Sequence, residues 1–410
     1  MTNGIKKLMA GALATFLSVG MANAYAPGSQ VKFQKLKSNG LIFGLIDGET
    51  AACEGQYIHN DPDMQTILIP ETVSFGSKTY TVTAIGDNAF EYCTNIKEVL
   101  MPQTVTHIGE EAFYICTGLA SINIPEGVTY IGPGAFESVG LTSVVIPESL
   151  TSIEPYTFSW SKITSVTIPE SVTSIGRCAF SYCRNLTSVD IPDTVTSIGT
   201  AAFISCHALE SVKLPKNITS IKGSTFDLCK SLTEITIPEG VTSIGSEAFS
   251  YCESLKTVNL PASVTHIEEG AFESCPLLSI TLPENLSYIV GNAFYDCPLL
   301  SSVYCLSRNV PELEPYHSSK HDGFGSGQDI DLYVYEGVLE EYRNSAWALY
   351  FTRILPIPEA GAGSVGAQPG GGLLRVYDIA GRLVLSTRDH AALQGLAKGT
   401  YIVNGKKVAL

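Results

Sequence analysis

Apolar positions along this chain recur in a pattern that repeats every 22 or 23 residues. One copy, Leu232 to Cys252, reads LTEITIPEGVTSIGSEAFSYC: a short alternating run, Pro, two more apolar positions, then a small residue, Phe and Cys. The register is kept by Phe90, Phe113, Phe136, Phe158, Phe180, Phe203, Phe226, Phe249, Phe272 and Phe294. In the equivalent run Leu255 to Pro261, Leu255, Val258 and Leu260 face one way while Thr257 and Asn259 face the other, which is the two-residue period of a short strand. Pro261 offers no N–H to a continuing ladder, so the strand ends there. Val264 and Ile267 give a second apolar set; in other copies Gly follows the Ile, as in Ile244-Gly245, where a tight bend tolerates no side chain. Ala271 and Phe272 then supply one small and one large buried group, the Phe filling the space between successive coils.

A regular period of about 20 to 29 residues, each copy unable to bury its apolar face alone, is the signature of a leucine-rich-repeat solenoid. The fold class predicted is an α/β solenoid: a leucine-rich-repeat superhelix of about ten coils of 22–23 residues, capped at both ends and followed by a small all-β tail. Phe136 and Phe158 stand one position closer to Pro147 and Pro169 than Phe113 does to Pro125, so those two coils are each a residue short. In those two coils Val139 and Ser161 replace Cys.

Residues 1–24 read as a secretory signal peptide: Lys6 and Lys7, the apolar run LMAGALATFLSVG, then Ala22-Asn23-Ala24 as a small-residue cleavage site. Residues 25–82 read as an N-terminal cap and first partial repeat, in which SFGSKTYT between Val73 and Val82 is an inserted hairpin. The repeats occupy 83–303, a C-terminal cap 304–357, and a Gly-rich linker 358–372. In 373–410, LLRVYDIAGRLVLST and GTYIVNGKKVAL alternate as strands, with turns at Ala380-Gly381 and Asn404-Gly405. No later run reaches about 18 consecutive apolar residues, so no transmembrane segment is expected.

With 45% hydrophobic and 16% charged residues, the chain can bury a large core. Its net charge of −15 argues against nucleic acid, which needs a basic stripe to displace counterions. Eight cysteines, Cys93, Cys116, Cys183, Cys206, Cys229, Cys252, Cys275 and Cys297, recur once per coil. Metal ligands converge on a point, whereas these form a line, so the column reads as buried free thiols used as small apolar packing. Cys178 with Cys183 is the one local pair left open as a disulfide. His317, His321 and Asp322 lie among Pro, Ser and Gly, which reads as a solvated loop rather than a zinc site. His107 and His266 share a coil position and read as one exposed column.

The repeat resembles the BspA-like bacterial branch of leucine-rich repeats; LTSVDIPDTVTSIGTAAFISC, Leu186 to Cys206, fits that pattern nearly position for position. LYVYEGVLEEYRNSAWALYFTRILPI, Leu332 to Ile357, resembles that family's closing unit of a strand, a short helix and a last strand. The resemblance implies secreted or surface-exposed interaction modules without shared catalytic residues. VYDIAGRLV, GLAKGTYIV and Lys406-Lys407 resemble the C-terminal sorting domains of type IX (Por) secretion.

Two outward columns are candidate binding surfaces. Two residues before each Pro stand Leu100, Asn123, Val145, Thr167, Asp190, Lys213, Thr236, Asn259 and Thr281, with Ser or Thr mostly two positions earlier. Two residues after Phe stand Tyr92, Trp160, Tyr182 and Tyr251, aromatic candidates for contacts or for packing between coils. The expectation is a monomeric secreted or cell-surface protein that binds host or bacterial surface proteins as an adhesin, after passing through the periplasm. The alternative is a structural spacer of the cell envelope. No nucleophile with its base, phosphate loop or converging ligand set is found, so no enzyme, cofactor or metal is expected.

Overall fold

The structure, a computed structural model, describes residues 36–38, 40–56, 59–314, 324 and 329–357, together with the strands Leu374–Asp378, Leu383–Thr387, Thr400–Val403 and Lys406–Ala409. The signal-peptide segment, the 358–372 linker and the His317–His321 loop lie outside the described residues. The chain divides into two compact units, Met1–His207 and Ala208–Leu410. Each is a β-solenoid.

Most regular coils contribute two short strands that pair in parallel and in register with their neighbours; at Thr236 and Asn259 the first is reduced to a single parallel bridge. In the first unit Ser143–Val145, Ser165–Thr167 and Ser188–Asp190 form one ladder, and Ser152–Ile153, Ser174–Ile175 and Ser197–Ile198 another. In the second unit Ser220–Ile221, Ser243–Ile244, His266–Ile267 and Tyr288–Val290 do the same. Between the ladders runs the phenylalanine column. Phe90, Phe113, Phe136, Phe158, Phe180 and Phe203 are stacked face to face with centroids 5.2–5.8 Å apart, and all are fully buried. Phe226, Phe249, Phe272 and Phe294 repeat this in the second unit. Phe324 stacks on Phe294 at 5.4 Å, one step beyond the ten that the sequence pattern marks. Each stacked ring adds roughly 0.5–1.5 kcal/mol to its area burial.

The α/β label is corrected. Among the described residues one α-helix occurs, the five-residue Leu339–Arg343, and it lies outside the repeats. The segment around Ala-Phe, where a helix would fall, has alternating backbone hydrogen bonds instead. Asn88, Phe90 and Tyr92 donate their N–H groups to Glu110, Ala112 and Tyr114 of the next coil, while Ala89, Glu91 and Cys93 donate three residues back to Gly86, Asn88 and Phe90. Half of the N–H groups therefore hold neighbouring coils together and are lost to any i→i−4 ladder. The geometry requires left-handed residues two before and two after the Phe, such as Glu111 and Ile115 at φ 52° and 56°. A β-branched residue there is unusual and costs roughly 1–2 kcal/mol. Ile115 is held by its N–H donating to Glu137 at 2.9 Å.

The Gly after Ile is required by close approach rather than by its own dihedrals. A Cβ on Gly199 would lie 2.5 Å from the backbone of Arg177 and Gly176 in the preceding coil, and one on Gly245 would lie 2.6 Å from Gly223. Only a bare Cα lets the coils come so close.

At the start of the first unit, Leu36–Ser38, Leu41–Leu45 and Thr50–Gln56 form an antiparallel sheet, and Thr50–Gln56 then pairs in parallel with Lys78–Ile85. The hairpin expected after Val73 is present: Thr72–Phe75 pairs antiparallel with Lys78–Ile85, turning at Gly76 with φ 62°. In the second unit, Asp331–Tyr335 and Arg353–Ile357 extend the parallel ladder, and the helix Leu339–Arg343 comes between them in sequence. Trp347 and Tyr342 are buried there; the Trp347 indole N–H donates to Pro311 at 2.9 Å, and the Tyr342 hydroxyl donates to Cys305 Sγ at 3.2 Å. The four strands from Leu374 onward form an antiparallel sheet.

Candidate interaction surface

The column two residues before Pro is exposed at Asn123, Val145, Thr167 and Asp190 in the first unit and at Lys213, Thr236 and Asn259 in the second. Asn123 is already occupied: its side chain accepts from Met101 N–H at 2.7 Å and donates to Met101 C=O at 2.9 Å, bridging to the preceding coil. Leu68, Leu100 and Val145 give this face an apolar component, at 65%, 38% and 76% exposed. On the other ladder, after the Pro, threonine hydroxyls are structural. Thr129, Thr173 and Thr196 donate through Oγ1 to Thr106, Thr151 and Thr173 one coil back.

The Cys column is buried, as expected, and all eleven thiols are free, which excludes a Cys178–Cys183 disulfide. Its packing role needs one correction. Cys116, Cys183 and Cys206 donate Sγ–H to the carbonyls of Phe90, Phe158 and Phe180 at 3.0–3.2 Å, so each thiol also ties one coil to the one before. Burial pushes the Cys183 thiol up to about 12 and Cys305 to about 11, which keeps them protonated and unreactive. In the short coils Ser161 Oγ meets Cys183 Sγ at 3.3 Å. Cys178 is the one thiol that is not buried.

His107 and His266 differ from the expectation of one exposed column. His107 is partly buried and stacked on Tyr130 at 4.5 Å, and burial lowers its pKa; His266 is exposed, tilted over Tyr288 at 5.7 Å. Among the described residues no group of His, Cys, Asp or Glu is arranged to hold a metal ion. Nor is any described helix long and apolar enough to cross a membrane.

The aromatic column lies on the turn side. Tyr92, Trp160 and Tyr251 are nearly half exposed and Tyr182 is half-buried; all four have positive φ. Tyr92 meets Tyr114 edge to face at 5.5 Å, and Tyr251 donates its hydroxyl to Glu273. Trp160 and Tyr182 are stacked at 4.1 Å and 6°, with the Arg184 guanidinium 5.3 and 5.9 Å from their centroids. Arg184 was not evident in the sequence, because its column reads Gly140, Lys162, Arg184, His207 and has no shared chemistry.

Carboxylates also line the turn side and escaped the sequence reading. Glu91, Glu111 and Glu137 follow one another on three coils; burial raises the carboxyl of each, and neighbouring glutamates raise Glu111 and Glu137 further. Six coils on, Asp227, Glu247 and Glu273 repeat the arrangement, and burial, with Glu247 beside it, raises Asp227 to about 7. The signal available was the acid directly after Phe in four coils.

Over residues 83–210 and 173–301 the chain matches the BspA type leucine rich repeat region in six copies, and it belongs to that family. Such repeats are commonly protein-interaction scaffolds rather than enzymes. Among solved structures it is similar to a leucine-rich repeat protein from Bacteroides ovatus, 23% identical over 78% of this chain and 76% of that one, with a TM-score of 0.58. It is also similar to a leucine rich cell surface protein from Faecalibacterium prausnitzii, 26% identical over 72% and 99% of the two chains, with a TM-score of 0.45. The pneumococcal vaccine antigen PcpA is 17% identical over 79% and 98%, with a TM-score of 0.43. No curated protein matches.

Proposed function

We propose that this chain is an exported protein-binding repeat protein that works as an adhesin for host or neighbouring-cell proteins. The observation that supports it is the division of labour within a coil. Phe, Cys, Thr and the invariant strand positions are consumed by coil-to-coil contacts, whereas Tyr92, Trp160 and Tyr251 stay exposed on ordered backbone. Rigid, exposed aromatic side chains carry much of the energy of protein interfaces. The test is saturable binding of the purified chain to immobilised extracellular-matrix and bacterial surface proteins, against serum albumin. Saturation that Tyr92→Ala with Trp160→Ala weakens supports the reading; no saturable binding to any of them favours a cell-envelope spacer.

Export rests on the segment 1–24 and on a tail that resembles type IX sorting domains. Deleting 373–410 should leave the protein folded and retained in the periplasm. Unchanged arrival at the cell surface would remove the sorting role.

A further inference from the structure

The turn side of the first unit changes character along its length. From Gly86 to Gly140 the turns carry Asp87, Glu91, Glu110, Glu111 and Glu137 and no Lys or Arg except Lys97, which lies toward the strand. From Glu154 to Asn185 they carry Lys162, Arg177 and Arg184 against Glu154 and, beyond the Pro corner, Glu170. In a chain of net charge −15 this is a local reversal of sign, and it coincides with the Trp160–Tyr182 stack and its Arg184.

The geometry of that stack leaves one face of it open. Tyr182, one coil on, covers one face of Trp160. The opposite face is turned to the coil before, where the equivalent position is Ser138 and the position equivalent to Arg184 is Gly140, both too small to cover an indole. Trp160 accordingly remains 48% exposed. Its backbone is held, since its N–H donates to Ser181 at 2.8 Å and Ser138 N–H donates to Ser159 at 2.7 Å. Beneath it the buried Ser181 hydroxyl donates to Ser159 Oγ at 2.9 Å. The ring is therefore presented at little ordering cost, which is what an interface anchor needs.

We propose that the turn surface of residues 154–185 is a docking site for an acidic protein segment, which stacks an apolar or aromatic side chain on the open face of Trp160 and sets its carboxylates against Arg184, Arg177 and Lys162. The proposal rests on the protein-binding reading above. Trp, Tyr and Arg together are the residues that most often dominate protein interfaces, and a cation beside them selects an acidic partner. A neutral glycan fits less well, because it would leave these cations without a counter-charge.

The test uses the full chain and its own fluorophore. Of its two tryptophans Trp347 is 1% exposed, so an external ligand reads out on Trp160. A short glutamate-rich peptide carrying one phenylalanine is titrated beside its glutamine counterpart and a sulfated oligosaccharide. The glutamate peptide should change Trp160 emission saturably and bind at least about tenfold more tightly than the glutamine peptide, with the preference shrinking as salt rises from about 0.05 to 0.3 M. Arg184→Glu, at an exposed position, should weaken it at least about tenfold with an unchanged circular dichroism spectrum. No saturable response, equal binding of the glutamine peptide, an unaffected Arg184→Glu variant, or a response confined to the oligosaccharide would each overturn the proposal. Trp160→Ala, followed by calorimetry, should lose the binding. If immobilised proteins bind wild type and Arg184→Glu equally, protein binding stands and this site falls; if none binds, the broader reading falls whatever the peptide does.

Discussion

Two stretches of the first unit, the turns from Gly86 to Gly140 and those from Glu154 to Asn185, have the same backbone and opposite surfaces. Both place left-handed residues around the Phe: Asn88, Tyr92, Glu111, Ile115 and Ser138 in one, Tyr156, Trp160, Cys178 and Tyr182 in the other. Both bury that Phe completely. Yet one displays carboxylates with raised pKa and the other displays stacked aromatics with cations. Around the Phe, the coil-to-coil hydrogen bonds come from backbone N–H groups, which any residue but Pro provides, and from the buried thiols. The outward side chain is thus released from structural duty, and binding chemistry can vary from coil to coil without disturbing the stack.

The largest way to break this comparison is at the Phe column. Phe136→Ala and Phe158→Ala should each lose roughly 3–5 kcal/mol in chemical denaturation, alike in the two stretches, because each leaves a cavity between stacked rings. Trp160→Ala should lose less than about 1 kcal/mol. An equal loss at Trp160 would mean that it is part of the core.

The next effect separates the surfaces by pH. The native state holds the protons of Glu111 and Asp227 more tightly than the unfolded chain does, because burial raises both carboxyls and neighbouring carboxylates add to it. The stability this gives is complete below the ordinary carboxylate range and is lost as pH rises through the native value, about 7 for Asp227. At pH 8, Asp227→Asn should therefore stabilise the protein by about 1 kcal/mol, a figure already reduced for partial solvent screening, and Glu111→Gln should act in the same direction. Both gains should vanish near pH 4. Arg184→Gln, from the basic stretch, should show no such pH dependence; a gain that persisted at pH 4 would refute the electrostatic account.

The smallest effect leaves stability untouched. A maleimide should label one thiol, Cys178, in native protein and ten more after denaturation, since the others are buried. The acidic stretch, whose Cys93 and Cys116 lie in the interior, should stay unlabelled until unfolding.

The strands, the Phe register, the buried thiols and the Val73–Val82 hairpin were legible in the sequence, because apolar spacing and turn residues report directly on them. The turn geometry was not. Glycine would have signalled positive φ, but in these coils it stands at such a position only at Gly134 and Gly270, while Asn, Asp, Glu, Ser, Ala and Cys, and even Tyr, Trp, Ile and Leu, fill the rest. The thiol hydrogen bonds were equally silent, since a Cys that packs and a Cys that donates look alike in sequence. Of the surface, Trp160 and Tyr182 could be named from the period, but their stacking and the place of Arg184 depend on coil-to-coil contact that a single copy does not reveal. His107 was misjudged for the same reason: Tyr130, which covers it, lies one coil further along.

The central claim is that each coil is a closed unit contacting only its neighbours, so that surfaces can be changed while the stack persists. Deleting the whole repeat from Leu232 to Ser254 restores the register at Leu255, whereas deleting Leu232 to Ser243 does not. The most direct measurement is thermal unfolding of the two variants by circular dichroism. The account predicts a soluble protein with a cooperative transition for the whole-repeat deletion, and loss of cooperativity or solubility for the half-repeat deletion. Equal damage in both would contradict it.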